Sequence, residues 1–185
     1  MTRAVWPRVM VTGHRSEHLD PVARAWVPGE LRRLAAGLRA DRGTTTGVSG
    51  MAIGADLWWA DAVVDAGLRL EAHVPFPQQP DGWTPADRAE WERLLGHAAH
   101  VVTYGTGFHV RHLLARNWGM VQRSDQVVAV WVRGRPGGTR SAIEYAVRRG
   151  LRPLWVDPVA RVTTWPSVDS WWRMLAQKAR PRRAA

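Results

Sequence analysis

A chain of 185 residues suffices for one ordinary domain with a full apolar core, and the absence of cysteine rules out disulfides, a thiolate nucleophile and a cysteine-based zinc site. No run of eighteen apolar residues occurs, which excludes a transmembrane helix, and the opening MTRAVWPRVMVTG has no signal-peptide core, so the expected setting is cytoplasmic, away from membranes. The net charge of +10, nearly all arginine, favours anionic partners; part lies in residues 178–185, read as a basic, disordered tail, and the scatter of the rest makes nucleic acid a lesser reading than a small anion.

Along the chain, apolar runs of strand length alternate with stretches of helical period, the rhythm of βαβ units around a parallel sheet. Residues 8–12 form the first expected strand, ending at Gly13. Asp20 and Pro21 read as an N-cap with proline at the first helical position, and Pro28-Gly29 as a break before a main helical body over 28–38. A β-branched strand over 44–48 runs into Ser49-Gly50, and a helix over 52–66 is closed by Gly67. A third strand over 68–74 enters a turn-rich segment at 75–82; Thr84-Pro85 opens a helix to residue 97, and 101–104 supplies a fourth strand. A helix over 113–122, the most apolar strand over 126–132, a helix over 139–149, a strand over 153–156 and an amphipathic helix over 167–179 complete the pattern. The expectation is a single three-layer, Rossmann-like α/β domain over 1–185 with a mainly parallel sheet. The twelve tryptophans are irregularly spaced, which suits core and interface packing, and Trp171-Trp172 suit an exposed dimer contact.

In an open parallel sheet, ligands bind beyond the carboxyl ends of the strands. Three segments here run from a strand through small residues into a helix or turn: Gly13-His14-Arg15, the loop from Ser49-Gly50 through Gly54 to Asp56, and Gly137-Gly138-Thr139-Arg140-Ser141. Each presents backbone N–H groups where the helix dipole favours an anion, and glycine permits close approach. His14 and Arg15 either contact a phosphate or base, or begin a solvated loop; Asp56 reads first as a brace for its own glycine loop. His109 and His112 share a helix face but have no carboxylate at ligand spacing, so the sequence calls for no metal and no cofactor.

These segments, in this order, resemble the SLOG superfamily, which groups the DNA-processing protein DprA with the Lonely Guy enzymes. Val48-Ser-Gly-Met-Ala-Ile-Gly-Ala-Asp56 is similar to its SG-x-A-x-G-x-D loop, and Gly137-Gly-Thr139 with Tyr145-Ala146 to its second glycine motif. The resemblance covers about residues 8–157 and implies a Rossmann-like fold, a nucleotide-derived small-molecule ligand and a homo-oligomer, a dimer above all. Lonely Guy phosphoribohydrolases carry R-K-x-x-M and P-G-G-x-G-T-x-x-E; here Arg116-Asn-Trp-Gly-Met120 and Pro136-Gly-Gly-Thr-Arg-Ser-Ala-Ile-Glu144 follow that pattern. Departures fall at Asn117, Arg140 and Ser141 and in a longer loop around Arg133-Gly-Arg135. The resemblance implies hydrolysis of the N-glycosidic bond of a nucleoside 5′-monophosphate, with Glu144 and Arg116 catalytic and the residues of the three loops on the phosphate. Three other readings stay open: a non-catalytic sensor of an ADP-ribose-like nucleotide signal, a DprA-like single-stranded DNA module, and a Glu144 that simply pairs with Arg140 or Arg148 on the helix surface.

Overall fold

The computed structural model describes residues 4–177. The tail expected at 178–185 and the end of the last expected helix lie outside the described residues. The elements are β1 (Arg8–Gly13), α1 (Pro21–Arg42), β2 (Thr46–Ser49), α2 (Ala55–Asp65), β3 (Arg69–Val74), α3 (Pro85–Gly96), β4 (Ala98–Thr103), α4 (Val110–Gln122), β5 (Gln126–Val130), α5 (Gly138–Arg148), β6 (Leu154–Asp157), β7 (Val162–Thr164) and α6 (Val168–Ala176). A short 3-10 turn, Ser16–His18, links β1 to α1.

Strands buried on both faces need helices on both sides, and the near-continuous apolar runs of β1 and β5 meet that demand. Val9, Val11, Val128 and Val130 pack against one layer, which includes Leu31 and Ala35 of α1, Trp59 and Val63 of α2 and Leu94 of α3. Met10 and Val127 face Met120 of α4 and Ala146 of α5, while Ala129 faces Ile143 of α5 and Trp171 of α6. The sheet order is β4-β3-β2-β1-β5-β6-β7, parallel except that β7 runs antiparallel to β6. The chain winds outward from β1 to β4 and then returns to the other side of β1. That reversal puts the topological switch point between β1 and β5, where the strand ends diverge into a crevice. The three-layer, mainly parallel α/β fold expected from the sequence is the fold observed.

Two local expectations need correction. The helix expected to break at Pro28-Gly29 runs unbroken from Pro21 to Arg42, capped by Asp20, whose Oδ1 accepts from Ala23 N at 2.8 Å, and ended by Gly43 at φ 63°. An interior proline costs about 3 kcal/mol. Val27, Leu31, Leu34, Ala35 and Leu38 are buried along one face of α1, and full burial of each larger side chain contributes roughly 1.5–3 kcal/mol, so packing outweighs the lost bond. The second correction concerns Trp171. It is fully buried against Trp131 and Trp155, both with centroids at 6.1 Å, and donates its Nε1–H to Pro153 O at 3.1 Å. Of the pair read as a dimer contact, only Trp172 reaches the surface, because α6 turns its apolar stripe inward to close the second layer.

Polar side chains trapped in the sheet are satisfied in a chain along β3. His73 bonds Glu71 at 2.7 Å and the Tyr104 hydroxyl at 2.6 Å, and Glu71 also pairs with Arg8. Among the described residues no helix is long and apolar enough to cross a membrane.

Candidate functional site at the switch point

Three chain segments converge above the carboxyl ends of β1 and β5. The first is the end of β1. A Cβ on Gly13 would stand 2.3 Å from Ala55 Cβ and 2.9 Å from Val130 Cβ, so glycine is what lets β1, β5 and the start of α2 meet. His14 N then bonds Val130 O at 3.2 Å and His14 O accepts from Ala55 N at 3.2 Å, which fixes His14 and Arg15 over the crevice.

The second segment, from β2 to α2, supports the site from beneath. Ser49 is fully buried; its hydroxyl donates to Asp56 O at 2.7 Å and accepts from Met51 N at 3.1 Å. Gly54, at φ 95°, caps α2 while lying against the backbone of residues 14–16. Gly50 leaves room for an ion pair: a Cβ there would fall 1.4 Å from Arg116 Nη1 and 2.6 Å from Asp56 Oδ2. Arg116 reaches in from α4 and binds Asp56 at 2.9 Å, with both side chains about nine-tenths buried. Burial pushes the Asp56 carboxyl up, against the pull of the Arg116 guanidinium. Arg116 Nε is buried without a hydrogen-bond partner among the described residues.

The third segment joins β5 to α5. Trp131 Nε1 donates to Arg135 O at 3.0 Å and Arg135 Nη1 donates to His18 O at 3.0 Å, which ties this loop to the 3-10 turn. Gly137 adopts φ 121° as the cap of α5, and Asn117 Nδ2 donates to Gly138 O at 3.2 Å. A positive φ there suits glycine and frees the first N–H groups of α5.

The result is a cleft of about 290 Å³ whose lining includes Thr12, His14, Arg15, Asp56, Arg116 and the Gly137–Thr139 turn. Arg15 and Arg135 supply positive charge, Arg116 being paired with Asp56 in the same lining, and the α5 dipole adds to it. His14 does not. It is 5% exposed, and burial, then the nearby Arg135 and His18 charges, lower its pKa to about 4, so the ring is neutral near pH 7.

Of the candidate residues, Gly13, His14, Arg15, Asp56, Arg116, Gly137, Gly138 and Thr139 therefore share one cleft. Ser49, Gly50 and Gly54 serve the architecture beneath it. Arg140, Ser141 and Glu144 lie outside its lining: Arg140 Nε binds Glu144 Oε1 at 3.1 Å and the Ser141 hydroxyl returns to Gly137 O at 3.3 Å. Sequence reasoning missed His18, Gln79, Phe108 and Arg135 in the lining. Gln79 sits in a turn-rich segment after β3, a strand end one position from the glycine loops, and that placement was its available signal. His109 and His112 serve locally, His109 accepting from Arg111 N at 3.1 Å as the cap of α4 and His112 bonding Gly107 O at 2.9 Å.

Fold and cleft together define a Rossmann-like α/β protein with an anion-attracting crevice at its topological switch point. No family model matches the chain. A UPF0398 protein of Bacillus cereus is 28% identical over 105 residues, covering 53% of this chain and 57% of that protein, so the match spans little more than half of either. DNA processing protein A (DprA) from Streptococcus pneumoniae shares the fold with a TM-score of 0.62 at 18% identity, over 94% of this chain and 58% of that one. The molybdenum cofactor binding protein of Rippkaea orientalis does so at 0.55 and 18%, over 91% and 94%. These neighbours share the Rossmann-like fold of this chain.

Proposed function

We propose that the chain binds a phosphate-bearing nucleotide in the cleft over β1 and β5 and holds it without turnover. The observation that carries this reading is the convergence of Arg15, Arg135 and the exposed start of α5 on one crevice at the switch point, above the Arg116–Asp56 pair. A phosphate there meets backbone N–H groups, a helix dipole and guanidinium forks together. The likeness to a molybdenum cofactor binding protein supports a small-molecule occupant.

The hydrolase reading requires a carboxylate beside the anomeric carbon. Glu144 is held by Arg140 outside the cleft lining, and Asp56, which does line the cleft, is engaged by Arg116. Binding without glycoside cleavage is the better match to that geometry. A homodimer forms part of the same proposal, with Trp172 available to it and Trp171 not.

The test is incubation with a panel of nucleoside monophosphates, NAD and ADP-ribose, following thermal stability and free-base release together, with Glu144→Gln alongside. A ligand at 100 times its Kd adds about 2.7 kcal/mol, a rise of roughly 5–11 °C for a domain of this size. Stabilisation without base release is expected; base release abolished by Glu144→Gln would establish the hydrolase instead. A second reading, single-stranded DNA, draws on the likeness to DNA processing protein A and the charge of +10. It predicts binding that falls steeply with salt and is indifferent to mononucleotides.

A further inference from the structure

The edge of the sheet opposite the cleft carries a second basic hollow. The parallel strands β1 to β4 begin there, and β1, β2 and β3 open on Arg8, Thr46 and Arg69. These residues line a groove of about 500 Å³ together with Glu71, His100 and Arg123, the residue that ends α4. The one carboxylate in the lining is already committed. Glu71 Oε1 is held by His73 at 2.7 Å and Oε2 by Arg8, and its side chain is only 6% exposed. Arg8 is fixed in turn, its Nε donating to Arg123 O at 2.8 Å. Asp125 stands outside the lining, with Oδ2 accepting from Arg8 N at 2.9 Å. The other two guanidinium groups meet no acid. Arg69 makes one long contact, 3.4 Å to Thr46 Oγ1, and the Arg123 side chain makes no hydrogen bond or ion pair among the described residues. Arg32, Arg33, Arg93 and Arg140, by contrast, each meet a carboxylate. Like charges gathered in a concavity repel one another and raise the potential there, and an anion between them relieves both effects.

We propose that this hollow is a second anion site, independent of the cleft, for a compact oxyanion of two or more charges, of the inorganic phosphate or pyrophosphate type. Guanidinium groups reach it from three elements, β1, β3 and the end of α4, and their forked donors match phosphoryl oxygens. His100 adds a ring N–H at the rim. The lining has no phenylalanine, tyrosine or tryptophan, and its apolar part is Leu70 and Ala99 alone, so it offers no platform on which a base would stack. What the hollow recognises is the charged group itself.

The test is titration of inorganic pyrophosphate into the isotope-labelled full chain at fixed ionic strength, following backbone amide shifts, repeated for Arg69→Gln and for Arg123→Gln. Both residues are exposed and neither lines the cleft, so the fold and the cleft are left intact. Saturable shifts at residues 69–71, 99–100 and 123 are expected, and each variant is expected to weaken them about tenfold through loss of charge-assisted bonds. The same variants should leave shifts induced by AMP at residues 13–15 and 137–139 unchanged. Pyrophosphate shifts confined to the cleft overturn the inference and leave the cleft reading standing. Shifts at the far edge that sodium chloride of equal ionic strength reproduces, or that neither variant weakens, overturn it as well, as does the absence of any shift at millimolar pyrophosphate.

Discussion

Gly50 and Arg116 make a sharp test of how the cleft is built. The Gly50→Ala methyl would enter the space of the Arg116 guanidinium, 1.4 Å from Nη1, and would also crowd Asp56 Oδ2 at 2.6 Å. The backbone at Gly50 is not in the left-handed region, so strain from φ plays no part. The guanidinium must withdraw, leaving the Asp56 carboxylate buried and unpaired. Breaking a buried pair this way costs about 3–5 kcal/mol, a large share of the roughly 5–15 kcal/mol that stabilises a domain, and lowers Tm by about 6–20 °C. Arg116→Ala removes the same bond and costs a similar amount. Because each change destroys one shared interaction, Gly50→Ala in the Arg116→Ala background should add under about 1 kcal/mol. Urea denaturation of the four proteins closes the double-mutant cycle. Additive costs, near 6–10 kcal/mol for the double variant, would refute the claim that Gly50 exists to admit Arg116.

Three further outcomes follow from the same geometry. His14 has a folded pKa of about 4 against an ordinary 6.5, so the unfolded chain binds the extra proton between those values; the stability is full above pH 6.5 and lost as pH falls towards 4, about 3 kcal/mol in all. His73, also lowered by burial, adds a loss of the same sign, so His14→Gln should reduce, without abolishing, the drop in urea stability between pH 7 and pH 5; an undiminished drop contradicts the assignment. Trp171→Ala should cost about 3–5 kcal/mol by opening a cavity among Trp131, Trp155 and Ile143, and a loss under 1 kcal/mol in thermal unfolding would argue against its core role. Glu144→Gln removes a half-exposed helix pair with Arg140, so both stability and nucleotide affinity should stay within about 0.5 kcal/mol; a tenfold fall in affinity would return Glu144 to the site.

The layering and most element positions were legible because strands buried on both faces advertise themselves as unbroken apolar runs, as at 9–11 and 127–132. β7 was not: three residues, Val162–Thr164, at an exposed edge carry neither an apolar run nor an alternation long enough to read. The break expected at Pro28 does not form because burial of one face of α1 overrides the local propensity of proline. The glycine loops located the crevice, since a strand end followed by glycine and a helix start fixes where backbone N–H groups emerge. Motif spacing could not sort ligand-facing residues from supports. Ser49 and Asp56 belong to the same glycine motif, yet one hydroxyl is consumed inside the fold while the carboxylate faces the cleft with Arg116. Arg135 reads in the sequence only as part of a lengthened loop, because its place in the cleft depends on a long-range bond to His18, which no local pattern encodes.

The central claim, a phosphate held at the switch point, is tested most directly by titrating AMP into isotope-labelled protein and following backbone amide shifts. Saturable changes concentrated at residues 13–15 and 137–139 are the predicted result. Saturable changes that avoid those residues, or no changes at millimolar AMP, would contradict it.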